Sequence, residues 1–224
     1  MKLLTLVVLL VAIAVVGAEV VVPPRMEEAI ESRVAEGVPE AASVTAELDS
    51  FPVVGRGLAT GEVQRLVVTI DEVARPEVTI SSVDIDVRGI EISRQALVDR
   101  ELDLERVDRA ALTAIVTEDD LEEAFTRGNL DLTLRPGRVE ATLAGRSVGS
   151  DVTVADGRVT FDLGPLPDAS VALPGPELFP CPLDGEVIQG ALRLSCVLEQ
   201  VPDYLLRRFE ASSLLTSPSS PARP

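Results

Sequence analysis

Between Asn129 and Gly164, apolar and polar residues alternate with almost no interruption. Leu130, Leu132 and Leu134 share one parity, as do Val139, Ala141 and Leu143, then Val159, Phe161 and Leu163. Asp131, Thr133 and Arg135 take the opposite parity, followed by Arg138, Glu140 and Thr142, then Arg158, Thr160 and Asp162. Successive side chains of a strand point to opposite faces, so a period of two predicts half-buried antiparallel strands. The breaks carry turn chemistry. Pro136-Gly137 suits the central positions of a type II turn, and Asp156-Gly157 suits a two-residue hairpin. The pattern predicts a four-stranded meander with one oily face, and that face needs a cover.

Strand patterns also fill the chain upstream. SVTAEL from Ser43 and QRLVVTIDEV precede PEVTISSVDIDVRGIEI, with Ser50-Phe51-Pro52, Gly55, Gly57 and Gly61 marking a flexible link. Leu66, Val68 and Ile70 share a face. Val78 and Ile80 lie on one parity but Val83, Ile85 and Val87 on the other, and a β-bulge at Ser81-Ser82 would reconcile them. ELDLERVDRAALTAIVT resumes strand character, with Leu102, Leu104, Leu112, Ala114 and Val116 in phase. Prolines 165 to 182 punctuate a loop-rich stretch. Asp184-Gly185 marks a turn before a last strand with Leu192, Leu194, Cys196 and Leu198 on one face.

Two segments read as main helices. Pro23-Pro24 breaks the chain ahead of RMEEAIESRVAEG, where Met26, Ala29, Ile30, Arg33 and Val34 fall at helical spacing and acids weight the early turns. Thr117 is an N-cap for the run to Phe125, and its five carboxylates sit where a helix start favours them. That explanation leaves no reason to invoke a metal. Ser93 caps a single turn through Leu97, and Pro202 starts a short helix that brings Tyr204, Leu205, Arg208 and Phe209 inward.

Ahead of these lies MKLLTLVVLLVAIAVVGA, one Lys before an apolar run with a small-residue exit. Residues 1–22 are therefore a cleaved signal peptide or a retained membrane anchor, and either one exports the rest. Residues 25–210 form a single domain, and the Ser/Pro-rich residues 211–224 a disordered tail. In an exported chain, Cys181 and Cys196 default to a disulfide, with two buried thiols as the alternative.

Composition narrows the function. Net charge is −17, aromatics are 3% of residues and histidine is absent, which argues against nucleic-acid binding. Gly145-Arg146-Ser147-Val148-Gly149 matches a serine-hydrolase pattern. That motif requires a strand before it, a helix after it and a histidine base, and here a strand follows and no histidine exists. There is no phosphate loop and no zinc-ligand spacing. The expectation is a binder: no enzyme, no catalytic residue, no cofactor and no metal.

Several phrases together resemble a known family: the apolar N-terminus with a helix behind it, Ser50-Phe51-Pro52 with Leu58 and Gly61, and the long strands to Ile92. Arg106-Val107-Asp108-Arg109-Ala110-Ala111-Leu112-Thr113-Ala114 and the Thr117-Glu118-Asp119-Asp120-Leu121 helix start complete the resemblance. It is to the LmeA-like phospholipid-binding family of the actinobacterial cell envelope, over about residues 25 to 200. Val53 and Val54 stand where that family tends to carry bulkier apolar residues. The resemblance implies an α+β, tubular-lipid-binding-like (TULIP-like) fold, a long curved antiparallel sheet of about eight strands wrapped around one or two helices. It implies a protein that holds or shuttles a phospholipid in a periplasm-like space during lipoglycan biogenesis. Its partners would be the lipid, the membrane through the N-terminal segment, and glycolipid-assembly enzymes.

Acyl chains need only smooth aliphatic walls. The candidate lining is Leu66, Val68, Ile70, Ile80, Ile85 and Val87, with Phe51 near the mouth and an arginine at the headgroup; for each apolar position ordinary core packing is the alternative role. The competing expectation is an envelope scaffold whose sheet face is filled by its own residues.

Overall fold

In the computed structural model, residues 22–49, 60–93, 104–125, 130–143, 145–164, 168–174 and 179–202 are described. A helix, α1, spans 22–37. β1 (Ala41–Leu48), β2 (Glu62–Val73), β3 (Ile80–Ile92) and β4 (Leu104–Thr117) follow as an antiparallel meander, then α2 (Glu118–Ala124). β5 (Leu130–Arg135), β6 (Arg138–Leu143), β7 (Arg146–Ala155), β8 (Arg158–Asp162) and β9 (Ala169–Ala172) make a second antiparallel sheet in simple sequential order. The chain then returns to the first sheet through β10 (Asp184–Ile188) and β11 (Ala191–Glu199). β11 pairs with β4, giving the order β1-β2-β3-β4-β11-β10.

The structure is thus mostly antiparallel β with two helices, but as a six-stranded and a five-stranded sheet rather than one sheet of about eight strands. The meander from Leu130 to Asp162 forms as its alternation predicts. Leu132, Leu134, Val139, Ala141, Val159, Phe161 and Leu163 are all buried. Gly137 has φ 68°, and Asp156 and Gly157 have φ 51° and 68°, the left-handed geometry these tight turns require. β9 and β10 escape the sequence pattern. Four residues are too few to display a period, and Asp184-Gly185, expected as a turn, opens β10 instead.

Pro23 and Pro24 lie within the helical residues rather than before them. Proline's fixed φ is a helical one, and its missing N–H costs little near a helix start. Ile30 and Val34 of α1 pack against the main core. Thr117 caps α2 through a reciprocal capping box with Asp120, and Ser81 Oγ also donates to the Asp120 carboxylate. Leu121 of α2 is fully buried, and Phe125 meets Phe161 edge-on at 5.6 Å.

The parity change in β3 has a different origin from the bulge expected at Ser81-Ser82. The β2–β3 register stays constant there, from Asp71 opposite Ser82 to Val73 opposite Ile80. The left-handed residue is Glu72, φ 51°, across from Ser81. Beyond it the buried parity switches, so Val73 and Ile80 join the same core as Ile70 and Val83. A second switch occurs at Gly89, φ 63°, beyond which Val63, Ile90 and Val107 are buried instead. A register shift between β3 and β4 lies later, at Glu91/Ile92.

Candidate functional site

Strand register sorts the inner face of the large sheet into rows across β1, β2, β3, β4 and β11. The first row is Val44, Ile70, Val83, Ala114 and Leu194. The second is Ala46, Val68, Ile85, Leu112 and Cys196, and the third is Leu48, Leu66, Val87, Ala110 and Leu198. Burial falls along this series. In the first row all but Val44 are buried, in the second all but Ile85, and in the third every residue is only half-buried.

Past the third row the interior closes again around a smaller cluster of Val63, Ile90, Ile92 and Val107. The apolar interior is therefore interrupted. Leu48, Leu66 and Val87 pack against the smaller cluster, and Leu66 also touches the main core. The third row lies between them as a half-buried apolar strip. Five strands about 4.8 Å apart make the strip about 19 Å long. One leaflet's share of a bilayer's hydrocarbon core is about 15 Å. The dimensions suit an extended acyl chain.

Five of the residues expected to line a groove share this face. Leu66 stands opposite Val87 and Val68 opposite Ile85, with Ile70 beside them. Their environments differ: Ile70 (1% exposed) and Val68 (4%) are filled in by the protein itself, while Leu66, Ile85 and Val87 keep open surface. Ile80 sits apart, opposite Val73 and fully buried at the other end of the sheet. Phe51 lies outside the described residues, as do the turn from Ser93, the helix expected after Pro202, the N-terminal segment and the tail. Leu48, Ala110 and Leu198 share their row and were not among the sequence candidates, because cross-strand register is not visible in one-dimensional alternation.

The opposite face is charged. Arg65, Arg88 and Arg109 form a cross-strand row there. Arg65 (Nε 3.0 Å, Nη2 3.1 Å) and Arg88 (Nε 3.1 Å, Nη2 2.8 Å) both clasp Asp86 in bidentate fashion. Hydrogen bonds from Arg88 and then Arg65 hold the Asp86 carboxyl well below the usual carboxylate range, and the same bonds raise both guanidinium groups. Arg106 bonds Glu91 (3.0 Å) and Asp108 (2.9 Å), and Arg109 lies 3.7 Å from Glu199. Each of these four arginines is matched by a carboxylate, so among the described residues they leave no uncompensated basic patch on this face.

Other features fall into place around the strip. Cys181 and Cys196 form a disulfide, as expected. An open cleft of about 350 Å³ lies between α1 and β1, lined mainly by small residues such as Ser32, Ala35, Ala41 and Ala42 together with Glu28 and Glu31. It adjoins the buried first row, not the third. Ser147 is on β7, its hydroxyl 2.8 Å from Thr142 Oγ1, in a strand pairing and not at a strand-to-helix elbow. Among the described residues no group of three or more His, Cys, Asp or Glu could hold a metal ion, and no helix is long and apolar enough to cross a membrane.

A model of the LmeA-like phospholipid-binding family matches residues 13–192 of the chain. The chain belongs to that family. The match takes in α1, β1 to β10 and α2, and with them the strip positions on β1 to β4. It ends at Leu192, so Cys196 and Leu198 on β11 lie beyond the part the LmeA-like family defines. Comparison with curated proteins and with solved structures gave no match.

Proposed function

We propose that this LmeA-like protein holds a phospholipid by laying an acyl chain along the strip Leu48–Leu66–Val87–Ala110–Leu198. The observation that carries this reading is the half-buried apolar row bounded on each side by closed core. A filled scaffold would have no reason to leave such an interruption. Each methylene moved from water onto aliphatic walls contributes about 0.8 kcal/mol, so a chain lying along this length suffices for tight holding. Ile85 contributes from the second row, and Val68, Ile70 and Ile80 act behind the strip as its packed support.

On this reading the protein performs no reaction. It is exported by its N-terminal segment into the cell-envelope space, where it holds or passes lipid during lipoglycan assembly, wrapped in the manner of tubular lipid-binding proteins. The family's phospholipid-binding description supports the ligand class. Native mass spectrometry of the purified protein tests the reading. A mass excess that extracts as phospholipid is expected, and it should fall sharply in a Leu66→Asp/Val87→Asp variant that still folds. Bare protein mass after purification from phospholipid-replete cells would favour the scaffold instead.

A further inference from the structure

Helix α1 carries one apolar stripe. Val22, Met26, Ile30 and Val34 follow one another at i and i+4 and are all half-buried, while Glu28, Ala29 and Ser32 are exposed. Two hydrogen bonds fix how this stripe lies against the rows of the sheet. The Glu31 carboxylate accepts the N–H of Ala46, in the second row, and the Glu27 carboxylate accepts that of Leu48, at the β1 end of the third row, both at 2.9 Å. Ile30, beside Glu31, is therefore level with the second row and packs against the main core, as Val34 does one turn further on. Met26, beside Glu27, is level with the third row. It shares a helix face with Ile30, so it faces the sheet at the place where the apolar interior is interrupted. Among the described residues it packs against neither the main core nor the smaller cluster.

We infer that Met26 is a lipid-contacting residue: α1 supplies a second wall of the acyl site at its β1 end, where a chain on the strip passes between Met26 and the Leu48–Leu66 pair. This rests on the lipid-holding reading above. An apolar residue that served only the fold would pack against core, as Ile30 and Val34 do. A chain lying on the strip alone keeps its far side in water, and Met26 covers that side at this end. An unbranched thioether suits the task, because it adapts its shape to an irregular or mobile partner.

Met26 is the only methionine after Met1, so peroxide footprinting reads it directly. The full chain is stripped of lipid, and part of it is reloaded from vesicles of mixed phosphatidylglycerol and phosphatidylcholine, with loading checked by native mass spectrometry. Both samples are oxidised in parallel, and methionine sulfoxide is followed in the tryptic peptide 26–33. Loading should slow oxidation by about fivefold or more, since susceptibility follows exposure. Met26→Ala should weaken uptake of the same lipid by about tenfold, the equivalent of about two methylene contacts. Met26→Leu should restore most of that loss, and Ala29→Asp, on the exposed face of the same turn, should bind as wild type does. Equal oxidation rates in loaded and stripped protein, or a Met26→Ala variant that binds as tightly as wild type, would overturn the contact and leave lipid holding on the strip intact. Wild type that takes up neither phospholipid would overturn both.

Discussion

Glu31 on α1 accepts the backbone N–H of Ala46 at 2.9 Å, and Ala46 lies on β1, the edge of the large sheet. One helical turn earlier, Glu27 accepts the N–H of Leu48, also at 2.9 Å. The arrangement recurs on the other sheet, where Glu122 takes the N–H of Leu132 at 2.8 Å and Glu118 that of Leu134 at 2.6 Å on edge strand β5. Four residues of helix rise about 6 Å and two residues of strand about 6.8 Å, so carboxylates at i and i+4 meet alternate edge donors. Unpaired edges invite association with other chains.

Replacing Glu27 and Glu31 together by Ala should therefore cost about 1–2 kcal/mol for each bond lost. It should also produce concentration-dependent self-association in sedimentation velocity. The Gln pair keeps a carbonyl acceptor and should do less of both. A monomeric Ala variant as stable as wild type would refute the edge-sealing role.

Asp86 couples stability to pH. Its folded-state ionisation is depressed by Arg88 and Arg65, so its contribution is fully present above the ordinary carboxylate range and is lost as pH falls, from about pH 5 downward. Urea unfolding of Asp86→Asn should give a lower midpoint than wild type at neutral pH, with the two converging in acid. A constant gap across the pH series would mean that the clasp contributes nothing through ionisation.

Gly89 is the pivot between the two buried clusters. At φ 63°, a Cβ there would lie 2.3 Å from Asp108 Oδ2 and 2.7 Å from Asp108 Cβ. Gly89→Ala should destabilise by about 2 kcal/mol, since left-handed backbone costs a residue with a side chain about 1–2 kcal/mol before any clash. Lipid binding should weaken with it, because the strip lies beside this turn. A variant with wild-type stability would show that β3 does not need the left-handed turn.

Much of this fold is legible in the sequence, and the failures share a cause. Leu132 to Leu163 announce their strands because one face is dry and the other wet throughout. Thr117 and the acids after it announce a helix start because unpaired N–H groups want those side chains. The switches at Glu72 and Gly89 are not announced, since a parity change looks the same whether produced by an inserted residue or by one residue turned left-handed. Glu27, Glu31, Glu118 and Glu122 read as solvated acids near helix starts, because their role depends on strands distant in sequence. For the site, Leu66, Ile85 and Val87 were recognisable as apolar face, but the register that aligns them with Leu48, Ala110 and Leu198 exists only in three dimensions.

The most direct test of the central claim is photo-crosslinking with a phospholipid carrying a diazirine near the end of its acyl chain, followed by peptide mapping. Adducts should concentrate on Leu48, Leu66, Val87, Ala110 and Leu198 and be suppressed by excess unlabelled phospholipid. Labelling confined to the charged face around Arg65 and Arg88, or labelling that unlabelled lipid does not compete, would contradict an acyl chain lying along this strip.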